Sequence, residues 1–230
     1  MSGERPLRTA RTGAAPTERV RLRRKADRGA YDRDTIEGIL DRAYVGHVGW
    51  VLDGQPYVTP TAIWRVDDRL YWHGSAGSRT LRETKAGMPV CVTATIVDGF
   101  VLARSGFESS MNYRSVVALG TAREVTDDAE ALRVLEVFVE RWFPGRWPEL
   151  RPTTTKELRQ TTILSIDLSE ASAKVRAAGV LEEPEDNGWP VWAGVVPLAL
   201  VAGDPIPDEH VPAGMPVPGH VPAPGTRIQD

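Results

Sequence analysis

The chain has 230 residues, 41% of them hydrophobic and 26% charged, with a formal net charge of −3. That length fits one ordinary domain with tails, and the slightly acidic balance excludes nucleic-acid binding driven by overall charge. No apolar run approaches the ~18 residues a membrane-spanning helix needs. The single cysteine, Cys91, excludes an internal disulfide framework and a multi-cysteine zinc site, and it fits a reducing cytoplasm.

The charge is unevenly spread. Residues 1–25 hold eight Lys/Arg against Glu4 and Glu18, leaving −9 on the rest. Residues 1–26 read as a basic, flexible arm without the apolar stretch of a secretory signal. Residues 27–202 read as the folded domain. It opens with a helix capped by Asp34, with Glu37 three residues on and Ile36, Ile39, Leu40 and Ala43 as its apolar stripe. Val45–Leu52 and Gln55–Val66 flank Asp53-Gly54, a strong hairpin signal. Arg69–His73 is the next strand, and Ser78–Ala86 a short helix ending at Gly87. Pro89–Val97, Val101–Arg104 and Tyr113–Val125 read as strands. Asp127–Phe143 is the clearest helix, its buried face formed by Ala131, Leu132, Leu135, Phe138, Val139 and Trp142. Thr162–Leu168 and Ala173–Arg176 close a mainly β architecture, a barrel of about six antiparallel strands with flanking helices. Residues 203–230 form a tail with seven prolines and a repeated HVPA (His210–Ala213, His220–Ala223), read as polyproline II or coil with both histidines in solvent.

The chain lacks G-x-S-x-G, Walker, H-E-x-x-H and G-x-G-x-x-G motifs, and outside the tail it has only His47 and His73. No metal site is expected. Three clusters remain. In LYWHGSAGSRTL (Leu70–Leu81) a strand, a glycine–serine turn and a helix start bring together N–H groups, hydroxyls and Arg79. This is how a phosphate is held, and it is also how a plain turn looks. RSGFESSMNYRS (Arg104–Ser115) reads either as an exposed hairpin loop or as a ligand rim, with Asn112 and Ser115 as hydrogen-bonding groups, Tyr113 as a flat surface and Arg114 as an anion contact. In WPVWAGVVP (Trp189–Pro197), Trp192 covers a ring-shaped ligand or a dimer seam, or packs the segment onto the barrel. Seven tryptophans against four phenylalanines are many for one core and point to an aromatic interface.

The order YVTPTAIW (Tyr57–Trp64), LYWHGSAGSR (Leu70–Arg79), PVCVT (Pro89–Thr93), NYRSVVALGTA (Asn112–Ala122) and VWAGVVP (Val191–Pro197) resembles the pyridoxamine 5′-phosphate oxidase-like, FMN-binding split-barrel superfamily. Within it the chain is most similar to the nitroimidazole-resistance branch of flavin-nucleotide-binding proteins. The resemblance covers about Asp27–Pro197 and implies a six-stranded antiparallel split barrel, a homodimer and FMN sites at the subunit interface. It implies flavin contacts from Thr59, Pro60, Thr61 and Ile63, with His73 and Gly74 at the ring–ribityl side and Ser75 of the following turn as a further cofactor contact. Ser78 and Arg79 would hold the phosphate. Asn112, Tyr113, Arg114 and Ser115 would approach the site at the interface, Trp192 remains a further candidate cofactor contact, and His73 would be the catalytic residue. The C-terminal basic and aromatic segment that binds pyridoxal phosphate in the oxidase proper is replaced here by WPVWAGVVP and the proline tail.

The expected function is therefore an FMN-dependent oxidoreductase acting on a small organic molecule, supplied by NAD(P)H or an external reductase. The alternative is a non-catalytic flavin or haem carrier of the same fold. A cytoplasmic location is expected, and neither membrane nor nucleic acid is an expected partner, although the basic arm leaves docking on nucleic acid as a weaker reading.

Overall fold

The computed structural model describes residues 13–229. Ten strands form one antiparallel sheet system: β1 (Gly29–Ala30), β2 (Val45–Leu52), β3 (Gln55–Val66), β4 (Arg69–Ser75), β5 (Pro89–Leu102), β6 (Ser110–Thr121), β7 (Arg123–Glu124), β8 (Thr161–Asp167), β9 (Ala171–Arg176) and β10 (Gly194–Pro197). Their order is β1-β9-β6-β5-β2-β3-β4-β8-β7, with β10 added on the end of β5. The helices are α1 (Arg33–Leu40), α2 (Arg79–Thr84), α3 (Asp128–Trp142) and α4 (Thr155–Gln160).

The β2–β3 hairpin has the expected ends. Asp53 and Gly54 both take positive φ (51° and 79°), the conformation this two-residue turn demands and the reason for Asp-Gly there. The expected strands 89–97 and 101–104 are one strand, β5. A bulge at Asp98 shifts its register on β6 between Val97 and Gly99, and the unpaired residue looks like a break in the sequence. Gly99 is required by the close approach of β10, since a Cβ there would lie 2.8 Å from the Val196 carbonyl oxygen. The expected strand 113–125 is split at Ala122, whose N–H leaves the ladder for the Met88 carbonyl (2.9 Å).

Two helix readings change. The cap of α1 is Asp32, whose carboxylate accepts from the Thr35 N–H at 2.9 Å, because Asp34 already lies inside the helix. In α3, Leu132 faces solvent and Val134 is fully buried, so the helix sits rotated relative to the expected face. α4, which the sequence reading did not include, starts on a capping box of Thr154 and Glu157.

The barrel interior is filled by β2, β3, β4, β5, β6, β8 and β9 around Val48, Trp50, Ile63, Leu70, Trp72 and Val92, and Ile36, Ile39 and Leu40 of α1 join this core. A second apolar layer lies outside, where Trp64, Tyr71 and Ile163 pack against Ala131, Val134 and Phe138 of α3. Strand β4 is thus covered on both faces, which explains its run of buried residues Leu70, Tyr71 and Trp72.

Residues 1–12 of the expected arm lie outside the described residues. In the described part, Thr17 and Arg19 bind the Glu170 carboxylate and Val20 is buried. The proline tail folds back along the domain. The Ile228 N–H bonds the Leu200 carbonyl (3.1 Å), and the Tyr44 hydroxyl donates to the Ile228 carbonyl (2.5 Å). Each HVPA repeat sits in a tight turn, closed by Val211 N–H on Asp208 O and by Val221 N–H on Pro218 O. His210 is in solvent as expected. His220 is not: its side chain is 9% exposed, 3.9 Å from Glu149 and edge-on to Phe143, because the second turn is pressed against the end of α3.

Candidate functional site

Strands β3 and β4 run antiparallel until the ends of their pairing, where β3 continues through Thr59–Thr61 toward the hairpin and β4 through His73–Ser75 toward α2. The space between the two ends is a cleft of about 150 Å³, lined by Thr59, Pro60, Thr61, Trp72, His73, Gly74, Ser75, Ser78 and Thr80, with Val48 and Leu81 beneath. Seven of the predicted site residues therefore meet at one place.

The floor is organised by short hydrogen bonds. The Ser78 N–H bonds the Ser75 carbonyl (2.8 Å), the Gly77 N–H bonds the Ser75 hydroxyl (3.3 Å), and the Thr59 and Thr80 hydroxyls lie 2.9 Å apart. The Ser78 hydroxyl makes no capping bond, although Ser78 occupies the N-cap of α2. α2 has six residues, against the nine expected, so its dipole is small. The pull on an anion falls to the hydroxyls and to Arg79.

Arg79 lies between Ser78 and Thr80, which both line the cleft, and is not itself part of that lining. Its Nη2 donates to the Tyr57 hydroxyl (3.1 Å), and the guanidinium lies 4.8 Å above the centre of the Tyr57 ring. Tyr57 is stacked in turn on Trp50, 4.6 Å away with 20° between the planes.

His73 sits half-buried at the cleft wall, edge-on to Trp64 (5.4 Å) and Phe138 (5.0 Å). Its Nδ1 is buried with no hydrogen-bond partner among the described residues. Burial pushes its pKa below the usual imidazole range, so the ring is neutral at pH 7 and offers one nitrogen as a donor and the other as an acceptor or ligand.

Six predicted residues are elsewhere in the chain. Ile63, two places along β3 from Thr61, is fully buried in the barrel core and lines no part of the cleft. Asn112, Arg114 and Ser115 lie on β6, separated from β3 by β5 and β2. Their polar atoms serve the chain itself. The Asn112 side-chain oxygen accepts from Arg176 Nη1 (2.7 Å) and the Ala178 N–H (3.1 Å), and its amide donates to the Ala178 carbonyl (3.0 Å). Arg114 forks onto Asp98 (2.7 Å), and the Ser115 hydroxyl donates to the Lys174 carbonyl (3.2 Å). Tyr113 lies on the same strand, opposite Val97. Trp192 is 66% exposed, its ring lying over Gly194. Within one protomer none of these residues reaches the cleft.

Tyr57, Thr80, Trp64 and Phe138 belong to the site and were not singled out from the sequence. Tyr57 had a signal, because it and Trp50 are each three residues from Asp53-Gly54 and so must be cross-strand partners. Phe138 had none, since its approach to His73 depends on how α3 docks.

The chain matches the family model described as pyridoxamine 5′-phosphate oxidase over residues 32–175. No curated protein matches the chain. Among solved structures it is similar to the flavocytochrome Anf3 from Azotobacter vinelandii, with 38% identity, TM-score 0.85, and 91% of this chain and 97% of the other covered. It is also similar to the FAD and haem binding protein from Mycobacterium smegmatis, with 36% identity, TM-score 0.83, and 88% and 100% covered. A Bacteroides thetaiotaomicron protein described as a 5-nitroimidazole antibiotic resistance protein shares the fold at 22% identity and TM-score 0.52, with 64% of this chain and 86% of the other covered.

Proposed function

The chain belongs to the pyridoxamine 5′-phosphate oxidase family, and from that premise we propose that it is a homodimeric redox protein that binds a flavin nucleotide, FMN, in the β3–β4–α2 cleft. The observation that carries this reading is the cleft itself: the hydroxyl-bearing Thr59, Thr61, Ser75 and Ser78 line it next to Arg79 in the chain, with the neutral His73 imidazole at the wall. When bound, the flavin supplies one- or two-electron transfer. Ser78 and Arg79 hold its phosphate, and Thr59 and Thr61 orient the chain that joins phosphate to ring. Trp64 and Phe138 keep water from one side of His73, which exchanges a proton with a small organic substrate through its neutral imidazole. Electrons come from an external reductase or NAD(P)H; the missing G-x-G-x-x-G favours the first. The lone cysteine fits work in the cytoplasm.

Two facts support the dimer. A cleft of 150 Å³ encloses only the phosphate end of a flavin nucleotide, since pockets for ligands of that size run to ~300 Å³ and more. In addition, Val45, Val51, Val58, Val97 and Val117 stand exposed on the outer face of β2, β3, β5 and β6, a patch suited to burial against a second copy. A second protomer is also what would bring Asn112–Ser115 and Trp192 to a flavin ring.

A second reading adds haem. It is favoured by the two solved structures of 36–38% identity, a flavocytochrome and a FAD and haem binding protein. The unpartnered nitrogen of His73 would be the group to hold it, since a neutral imidazole nitrogen can ligate haem iron. On this reading the chain is an electron carrier.

The test is FMN titration with sedimentation of the wild type and of a Thr59→Val/Ser78→Ala double variant. A dimer with one FMN per protomer is expected, and the variant should bind FMN at least about tenfold more weakly, through the loss of one hydrogen bond to the charged phosphate and one neutral hydrogen bond. Equal affinity in the two proteins, or a monomer that binds FMN fully, would overturn the assignment.

A further inference from the structure

We propose that Tyr57 is a positioning residue that holds Arg79 beside the cleft as a phosphate clamp, and so sets how strongly the site prefers a flavin nucleotide to riboflavin. This rests on the flavin reading above. An arginine at the start of a short, exposed helix samples many rotamers, and it loses that freedom when it grips an anion. Tyr57 removes the loss in advance. Its hydroxyl accepts one N–H of Arg79 at 3.1 Å, and its ring lies 4.8 Å below the guanidinium, within cation–π range.

The support beneath is rigid. Trp50 lies on Tyr57 at 4.6 Å and is itself only 4% exposed, anchored in the barrel core. Tyr57 and Trp50 are fixed opposite each other by the β2–β3 register, which the Asp53-Gly54 turn sets. With Trp50 and Arg79 both stacked on it, the Tyr57 ring has no free face for a flavin or adenine ring, so its part is to hold Arg79.

The guanidinium has the capacity for the task. Tyr57 uses one of its five N–H donors, and among the described residues no carboxylate pairs with Arg79. The charge is therefore uncompensated, already oriented and one residue from Ser78. Riboflavin, which lacks the phosphate, has nothing for this clamp to hold, and that difference isolates it.

The experiment measures the dissociation constants of FMN and riboflavin by flavin fluorescence, on the full-length wild type, Tyr57→Phe, Tyr57→Leu, Arg79→Ala and the Tyr57→Leu/Arg79→Ala double variant. The wild type should prefer FMN. Arg79→Ala should reduce that preference at least about tenfold, Tyr57→Leu by about five- to tenfold and Tyr57→Phe by about threefold, each with unchanged riboflavin affinity. The double variant should be no worse than Arg79→Ala. A Tyr57→Leu protein that loses FMN and riboflavin affinity in equal measure, or that keeps its preference, would overturn the proposal. If Tyr57→Leu does not fold, an unchanged preference in Tyr57→Phe overturns it alone. A wild type that binds both equally would instead remove the phosphate reading of the cleft, and the clamp with it.

Discussion

Arg141 is the residue on which the frame of the site most depends. Its Nη1 donates to the Ile63 carbonyl (2.6 Å), its Nη2 to Leu40 (3.0 Å) and Ala43 (2.6 Å), and its Nε to Asp41 (3.2 Å). Leu40 and Asp41 end α1, where carbonyls lack helical partners and a cation is favoured. Burial lowers the pKa of the guanidinium, but the charge persists far above neutral pH. One side chain of α3 thus ties α1 to β3, and this fixes Phe138 behind His73. Arg141→Ala removes four hydrogen bonds from a charged donor and leaves four carbonyls to find water. Single bonds of this kind are each worth ~1.5–3 kcal/mol, they do not add, and the net loss should be about 3–5 kcal/mol. Urea unfolding should show it as a lowered midpoint with an unchanged slope. Arg141→Lys keeps the charge without the fork and should recover less than half of the loss. A loss below ~1 kcal/mol in Arg141→Ala would refute the assignment of this cluster as a clamp.

Asn112→Ala leaves the nearly buried Arg176 and both polar groups of Ala178 without their partner. It should cost about 2–4 kcal/mol in the protein without flavin, where a residue that only touches ligand would cost little. Gly46→Ala would place a Cβ 2.7 Å from Cγ2 and 2.9 Å from Cδ1 of Ile63; a loss of about 1–3 kcal/mol by thermal melting is expected, partly recovered by Ile63→Val, and no loss would mean the barrel yields there. The pKa of His73 is lowered by burial, so the unfolded chain takes up its proton first as pH falls. Its contribution is intact above the usual imidazole range and declines as pH drops through that range toward the lowered value. Ligand-free His73→Gln should therefore lose less stability than wild type between pH 7.5 and 5, and parallel melting curves against pH would contradict a neutral, desolvated His73.

Most of the barrel was legible because its signals are local. Asp-Gly between two alternating runs fixes the β2–β3 hairpin to the residue, and the alternation of β5 and β6 shows which side chains face the core. What depended on tertiary placement was not. The bulge at Asp98 inserts one residue that resembles a strand end. Val134 rather than Leu132 turns inward because α3 docks over a strand pair already covered from within. The burial of His220 follows from the tail folding back, which a proline-rich composition does not reveal. At the site, the contiguous stretch Leu70–Leu81 disclosed His73, Gly74, Ser75 and Ser78, because one strand–turn–helix carries them. Asn112 and its neighbours form a second motif in the sequence, and in one protomer its polar atoms are spent within the chain, Asn112 on Arg176 and Ala178, Arg114 on Asp98 and Ser115 on Lys174. The same polar residue types serve a ligand or a backbone, and spacing alone does not distinguish the two uses.

The most direct test of flavin binding is the absorption spectrum of the purified protein after saturation with FMN, and separately with FAD, followed by desalting. A retained oxidised-flavin double band at one equivalent per protomer is the predicted result, with a Soret band after haemin addition if the haem reading also holds. A protein that keeps neither flavin would contradict the account, leaving the family and the fold but not the chemistry assigned to the cleft.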